Sequence, residues 1–388
     1  ATLESTPPDM ATTTRDGRSM TDRVVVAMSG GVDSSVAAAL LVEQGHDCVG
    51  VFMRQGMPAA GPASSGTDEP TAPRAGHQGC CGVADALDAR RVADRLGIPL
   101  YPLDLTTDFA RVIDYFAEEY GRGRTPNPCV RCNAWLKFGR LFDHADAIGA
   151  THVATGHYAI LESTEAGDVA VRRGLDRARD QSYVLFDVRP DRLRRMVLPV
   201  GRMPKAEVRA RAADLGLATA DKPDSQEICF VAPGRHAALV ADRLGGSRAG
   251  EIVDERGQVL GRHPGIEHFT VGQRQGLGIA TGRPLHVVRI EAAARRVVVG
   301  PPESVPCGHL VAADVTWHGA PPTEPFACDV QCRAQRRAAP AIVSPLPDGR
   351  FEARFTGGPA AGPGPISPGQ PAVCYLDDRL LGGGWIES

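Results

Sequence analysis

Apolar positions in the first two hundred residues follow two alternating rhythms. Short β-branched runs, Val24-Val25-Val26 and Cys48-Val49-Gly50-Val51-Phe52-Met53, read as strands of a buried parallel sheet. Longer stretches between them carry helical spacing. Val83, Ala84, Leu87, Val92, Ala93 and Leu96 recur on one such stretch, which Gly97 stops and Pro99 follows. The same pattern predicts a strand over 98–103, a helix over 107–120, a turn-rich loop over 121–131, a helix over 134–148, a strand and its turn over 151–156, and a last helix over 204–215. This alternation predicts βαβ units on a parallel sheet, with ligands gathering at the carboxyl ends of the strands. Beyond about residue 250 the texture changes to short strand-like runs between Gly/Pro turns, such as Val287-Val288-Arg289-Ile290 and Val297-Val298-Val299, which indicates β-barrel modules. The expected fold class is α/β with β-rich modules after it.

Composition narrows this picture in three ways. A chain of 388 residues is expected to form two or three domains. A net charge of −3, from 43 basic and 46 acidic residues, gives no whole-chain nucleic-acid signal, so any RNA contact has to come from local patches. No apolar run approaches a membrane span, and ten unevenly spaced cysteines argue for reduced thiols, so a cytoplasmic location is expected. Residues 1–22 are Thr/Pro/Ser-rich and read as a disordered tail, and 54–79 as a Gly/Pro/Ala-rich loop insertion.

The chemistry starts where the first strand ends. Ser29, Ser34 and Ser35 offer hydroxyls, Gly30 and Gly31 let backbone N–H groups approach a ligand, and the following helix points its positive end the same way. The turn reads as an anion site, pyrophosphate being the expected anion; the plain alternative is a Gly-rich turn without a ligand. The ordinary phosphate loop requires a lysine, and the only lysines are Lys137, Lys205 and Lys222, all distant in sequence. Ser-Gly-Gly-x-Asp-Ser instead resembles the PP-loop of ATP pyrophosphatases. That resemblance implies cleavage of ATP to AMP and pyrophosphate, with Asp33 helping to hold Mg2+.

Two thiol motifs follow. Asn127-Pro128-Cys129-Val130-Arg131-Cys132-Asn133 sits in the loop expected before a helix, where a thiolate is favoured; a half zinc site and an inert pair are the other readings. In Asp224-Ser225-Gln226-Glu227-Ile228-Cys229-Phe230, the thiol is either reactive or a buried strand cysteine. Cys48, Cys307, Cys328 and Cys374 read as packing residues, and Cys80-Cys81 carry no assigned role.

Together with Ala154-Thr155-Gly156-His157-Tyr158, Asp180-Gln181-Ser182-Tyr183 and Thr270-Val271-Gly272-Gln273-Arg274-Gln275-Gly276-Leu277-Gly278, these motifs make nearly the whole chain similar to the tRNA-specific 2-thiouridylases of the MnmA type. The resemblance implies a PP-loop ATP-binding catalytic domain over 23–220, a small central domain over 221–286 and a tRNA-contacting β-barrel over 287–388. ATP would bind at Ala27, Met28, Ser29, Gly30, Gly31, Val32, Asp33 and Ser34, with Met53 and Gly156 flanking it. A wobble uridine of tRNA would be adenylated at its C2 oxygen and then thiolated. Cys229 would carry a persulfide from a sulfur-donor protein, and Cys132 would be its partner thiol, the two closing a disulfide. Asn127, Pro128 and Cys129 would meet the target base; His157, Arg179, Asp180, Gln181, Arg333, Ala334 and Gln370 would contact tRNA.

Two departures stand out. Cys129 occupies a place where well-known members carry aspartate, so its acid/base role is not inherited; Cys129, Cys132 and Cys229 could instead ligate a [4Fe-4S] cluster. Ala334 stands where an aromatic often follows the arginine. Asp180 also fits a capping role, and His263, Gln273 and Arg274 fit either tRNA contact or turn structure. Another PP-loop ligase or amidotransferase is the alternative enzyme, and a metal-knuckle nucleic-acid-binding module the alternative outside catalysis.

Overall fold

The computed structural model describes residues 22–56, 82–164, 167–224, 228–231, 234–280, 282–358 and 362–388, and the backbone of the short antiparallel pair Thr12–Thr13 with Ser19–Met20. The rest of the expected tail, residues 57–79 of the expected insertion, Cys80-Cys81 and Ser225-Gln226-Glu227 lie outside the described residues. The chain divides into two compact units, one drawn from 1–111, 140–157 and 195–233, the other from 112–139, 158–194 and 234–388.

The first unit is built on a five-stranded parallel sheet, ordered Leu100–Asp104, Asp47–Arg54, Arg23–Ala27, His152–Ala154, Met196–Val197. Arg23–Ala27 is central, so Val24, Val25 and Val26 are shielded on both faces, which is why they form an unbroken apolar run. The helices Val32–Glu43, Val83–Leu96 and Lys205–Asp214 belong to this unit. Strand order reverses between Arg23–Ala27 and His152–Ala154, and a doubly wound sheet binds ligands at the carboxyl end of that reversal.

The second unit is β-rich. Val259–His263, Gly250–Asp254, Arg296–Gly300 and His286–Glu291 form a four-stranded sheet around Ile252, Val287, Val297 and Val299. The division expected at residue 286 therefore falls inside this sheet, because His286–Glu291 pairs back onto Arg296–Gly300. Six antiparallel strands, His309–Trp317, Phe351–Phe355, Ala339–Pro345, Phe326–Gln331, Pro371–Leu376 and Arg379–Ile386, close into a barrel when the last pairs with the first. A hairpin, Ala159–Ser163 with Val169–Arg173, adds to the barrel through Arg379–Ile386. The fold is thus an α/β parallel-sheet domain with a central β module and a C-terminal β-barrel, as expected.

One local expectation is corrected. The segment before the predicted helix over 134–148 is not a loop throughout. Pro128–Cys132 is already helical and runs directly into Asn133–Arg140, a π-helical stretch, and Leu141–Ala147. Asn127 caps it, accepting from the Val130 N–H at 3.4 Å, and Pro128 sits in the first turn, where its missing N–H costs nothing.

Candidate functional site

In the first unit, the strand Arg23–Ala27 runs through Met28 and Ser29 into the turn and out along Val32–Glu43. Ser34 Oγ accepts from the Ser29 N–H at 3.2 Å and lies 3.2 Å from Ser29 Oγ, and Ser34 and Ser35 hydroxyls donate to the Gly31 carbonyl at 3.1 and 2.8 Å. Gly30 has φ +70°, and a Cβ there would lie 2.1 Å from the Asp85 carbonyl oxygen, so packing against Val83–Leu96 demands a glycine whatever the ligand. A Cβ at Gly156 would lie 2.6 Å from Asp33 C and Ser34 N, so the turn after His152–Ala154 presses on the start of the helix. Ala27, Met28 and Val32 are buried beneath the turn, and Met53 is half-buried at the end of its strand.

The fold brings to this turn two residues that the sequence reading set aside. Lys205 Nζ donates to Asp33 Oδ1 and Oδ2 at 2.7 and 2.9 Å and pairs with Asp224 at 2.7 Å. Lys222 Nζ donates to the Gly30 carbonyl at 2.8 Å and to Asp85 and Asp88 at 2.7 Å each. Burial by itself lowers the Lys222 pKa, but the hydrogen bonds to Asp85 and Asp88 more than offset it and raise the pKa above its ordinary value. Arg209 donates to Asp224 at 3.0 Å and to the carbonyls of Ala220 and Lys222, fixing the chain that leads toward Cys229.

Cys229 lies in a turn and is half-buried, so it is not a strand cysteine. Its Sγ donates to Gln55 Oε1 at 3.8 Å, and Phe230 sets its ring edge-on to Phe109 at 5.5 Å. By contrast, burial, helped by Asp47, pushes the Cys48 thiol up to about 11, which suits its packing role. His157 is buried, with Nδ1 2.7 Å from Thr155 Oγ1, in the same segment as Gly156.

The second unit holds the Cys-x-x-Cys helix. Cys129 is exposed and Cys132 buried, and Asn127 is half-buried ahead of the buried Pro128. Arg131, between the cysteines, pairs with Asp187 at 2.9 Å and stacks over Trp385 at 4.1 Å, with Trp135 and Tyr115 farther out. Gln370 donates to the carbonyls of Thr125 and Pro126 at 3.0 and 3.1 Å, so the barrel holds the entry to this helix. Among the described residues, no group of three or more His, Cys, Asp or Glu side chains is arranged to hold a metal ion.

Several residues expected at tRNA have partners within their own unit. Asp180 accepts from Gly174 N–H, Ser182 N–H, Ser182 Oγ and Arg173, while the N-cap of the turn Ser182–Leu185 is Gln181. Gln181 Oε1 accepts from the Tyr158 N–H at 2.9 Å, and Arg333 donates to Ser367 Oγ at 2.8 Å and the Val271 carbonyl at 3.2 Å. Gln273 closes its own turn through Thr270 N–H and the Gln275 carbonyl, while Arg274 is exposed; His263 is buried. Arg179 is half-buried and Ala334 exposed.

Three family models cover the chain: a tRNA methyl transferase HUP domain over 22–233, a tRNA methyl transferase PRC-barrel domain over 238–301 and an aminomethyltransferase beta-barrel domain over 307–386. The tRNA-specific 2-thiouridylase MnmA of Rhodopirellula baltica is 48% identical, across 94% of this chain and 96% of that protein. The one from Geobacter metallireducens is 45% identical, across 94% and 97%. Among solved structures, a 4-thiouridine synthetase–RNA complex with bound ATP matches at 16% identity and a TM-score of 0.33, over 54% of this chain and 45% of that one. With family models and relatives spanning it almost from end to end, this chain belongs to the family of tRNA-specific 2-thiouridylases, MnmA.

Proposed function

We propose that this chain is a tRNA-uridine 2-sulfurtransferase that uses ATP. The observation that carries the reading is the Ser29–Ser34 turn at the strand-order reversal, with the helix N-terminus, serine hydroxyls and Lys205 arranged around one place for an anion. ATP phosphates would take the N–H groups of residues 29–34 and the Lys205 ammonium, with Met53 and Gly156 flanking the nucleotide. Asp33, Asp85, Asp88 and Asp224 are matched by four cations, Lys205, Lys222, Arg209 and Arg91, so the neighbourhood holds no excess positive charge. A polyanion entering this neighbourhood needs a counter-ion. Asp33 would hold Mg2+ together with phosphate oxygens, and the ion would neutralise charge on the phosphates.

In the reaction, the C2 oxygen of a wobble uridine attacks the α-phosphorus and pyrophosphate leaves. Cys229 carries the persulfide received from a sulfur-donor protein. The Cys132 thiol attacks the Cys229 sulfur, displacing hydrosulfide and closing the Cys132–Cys229 disulfide. Hydrosulfide adds to C2, AMP departs with the former oxygen, and a dithiol reductant reopens the disulfide. Asn127, Pro128 and Cys129 would shape the place of the base. His157, Arg179, Asp180, Gln181, Arg333, Ala334 and Gln370 would contact tRNA, and Asp180, Gln181, Arg333 and Gln370 also hold their own segments in place. We likewise retain a PP-loop catalytic part over 23–220, a small central part after it and a tRNA-contacting C-terminal β-barrel.

The test is mass spectrometry of wobble uridine after incubation with ATP, unmodified tRNA and a persulfide donor. 2-Thiouridine should form with AMP and pyrophosphate, and Cys132→Ser and Cys229→Ser should each abolish it while ATP still binds. Full thiolation by both variants, or no AMP from the parent protein, would overturn the proposal.

A further inference from the structure

Two segments assigned to tRNA leave the second unit's barrel sheet at separate strand ends. Val169–Arg173 leads into Arg179-Asp180-Gln181, and Phe326–Gln331 leads into Arg333-Ala334. Within the sheet, Pro371–Leu376 and Arg379–Ile386 lie between those two strands and hold them apart. Side chains from the last residue of each strand bridge the gap. The Arg173 guanidinium lies over the Tyr375 ring at 3.6 Å, and its Nη1 donates to Asp180 Oδ2 and Gln331 Oε1 at 2.9 Å each. The other end of the Gln331 amide, Nε2, donates to the carbonyls of Arg333 and Ala334 at 3.1 Å each. Asp180 accepts in addition from the Gly174 and Ser182 N–H groups at 2.9 and 3.1 Å, and Ser182 Oγ lies 3.1 Å from Tyr375 Oη. Gln331 is only 4% exposed, and Ser182 and Tyr375 are buried beside it in the network.

We propose that Gln331 is a positioning residue for tRNA: with Arg173 as its arm, it fixes the spacing between the 179–181 loop and the 333–334 turn. A buried amide is tolerated only when hydrogen-bonded, and here the one acceptor meets a cation while the two donors meet two carbonyls. The reverse orientation would set N–H groups against the guanidinium and an oxygen against both carbonyls, so the network admits a single arrangement. Two contact points held at a fixed spacing bind a polyanion without having to be ordered as it arrives. An apolar side chain at 331 releases the turn from the loop without removing any group assigned to touch RNA. The inference rests on the reading of these two segments as tRNA contacts; the bridge between them does not.

The experiment is equilibrium binding of unmodified tRNA to the full chain, by filter retention, with steady-state thiolation kinetics beside it. Gln331→Leu should weaken tRNA binding about tenfold and raise KM for tRNA in step, while kcat at saturating tRNA and KM for ATP stay within about twofold. Gln331→Glu should do nearly as much, because it keeps an acceptor for Arg173 but sets carboxylate oxygen against the Arg333 and Ala334 carbonyls. It decides the matter if Gln331→Leu fails to fold. Arg173→Met should weaken binding to a similar degree, and the double variant should be no more than about threefold worse than the weaker single, since both cut one link. Independent structural losses would instead multiply, to about a hundredfold. Affinity within about twofold of the parent, multiplied losses in the double variant, or a fall in kcat with KM for tRNA unchanged would overturn the proposal. A parent protein that binds no tRNA would overturn the reading of the two segments, and the inference with it. One that binds tRNA without making 2-thiouridine would overturn the proposed reaction and leave the binding comparison standing.

Discussion

Lys222→Met is the most informative single change at the nucleotide turn. The Lys222 ammonium has three hydrogens and three acceptors, the Gly30 carbonyl and the carboxylates of Asp85 and Asp88, all within 2.8 Å. The lysine side chain is 17% exposed, and those of Asp85 and Asp88 11% and 20%. Removing the cation takes the ammonium from the sheltered Asp85 carboxylate, leaves Asp88 with Arg91 alone among the named cations, and frees the Gly30 carbonyl from its anchor. Breaking a buried pair by deleting one partner costs about 3–5 kcal/mol, and partial exposure here places the loss near 3 kcal/mol. For a unit of this size that is a fall of about 6–10 °C in unfolding midpoint. The turn's support for phosphate should weaken with it, raising KM for ATP about tenfold, or about 1.4 kcal/mol. Because the folded Lys222 pKa is raised, its stabilisation is fully present below the unfolded lysine value of about 10.4 and is lost only as pH rises through the folded one. The gap between variant and parent should therefore be constant from pH 7 to 9, and it should shrink in an Asp88→Asn background, where less negative charge is left unpaired. Thermal unfolding and ATP-dependent AMP release measure both effects. A variant within 1 °C of the parent, with KM within about twofold, would refute the reasoning.

Two further outcomes follow from the geometry. Gly156→Ala places a methyl 2.6 Å from Asp33 C and Ser34 N, both backbone atoms that cannot turn aside, so the helix start must shift. ATP binding measured by calorimetry should weaken at least about tenfold while circular dichroism keeps the helix and sheet content. In the second unit, burial holds His318 down at about 4 from the ordinary 6.5, with Nε2 2.8 Å from the Phe186 carbonyl. Its folded pKa is depressed, so the unfolded chain takes up the proton first, and stability from this group declines as pH falls from 6.5 toward 4, by about 3 kcal/mol in all. Urea unfolding at pH 7.5 and pH 5 should show the parent losing about 2 kcal/mol more than His318→Gln between the two; equal losses would contradict the assignment.

What the sequence made legible was local. The run Val24–Val26, the Ser-Gly-Gly turn and the helix after it are set by neighbours in the chain, and Gly97 ended its helix where the pattern said it should. The Cys129–Cys132 segment reads as loop from sequence because Asn-Pro is a turn signal as well as an N-cap followed by a first-turn proline. Only the continuation of the helix through Asn133–Arg140 distinguishes them. The hairpin Ala159–Ser163 with Val169–Arg173 was missed because its pairing with Arg379–Ile386 comes from more than two hundred residues away.

The lysines show the deeper limit. The absence of a lysine near the turn correctly excluded the ordinary phosphate loop, but not lysine at the site. Lys205 and Lys222 arrive from 172 and 192 residues downstream of Asp33 and Gly30. Sequence distance is irrelevant to a charge once a parallel sheet gathers the carboxyl ends of its strands on one edge. A cation brought there must meet carboxylates before the ligand arrives, because an unpaired buried charge is too costly. Asp33 consequently has two roles that a motif cannot separate: it faces the phosphate turn, and it neutralises Lys205. Any substitution of Asp33 will disturb both, whereas Lys222→Met disturbs the turn without touching the Asp33–Lys205 pair, and for that reason it is the cleaner probe of what the turn itself contributes.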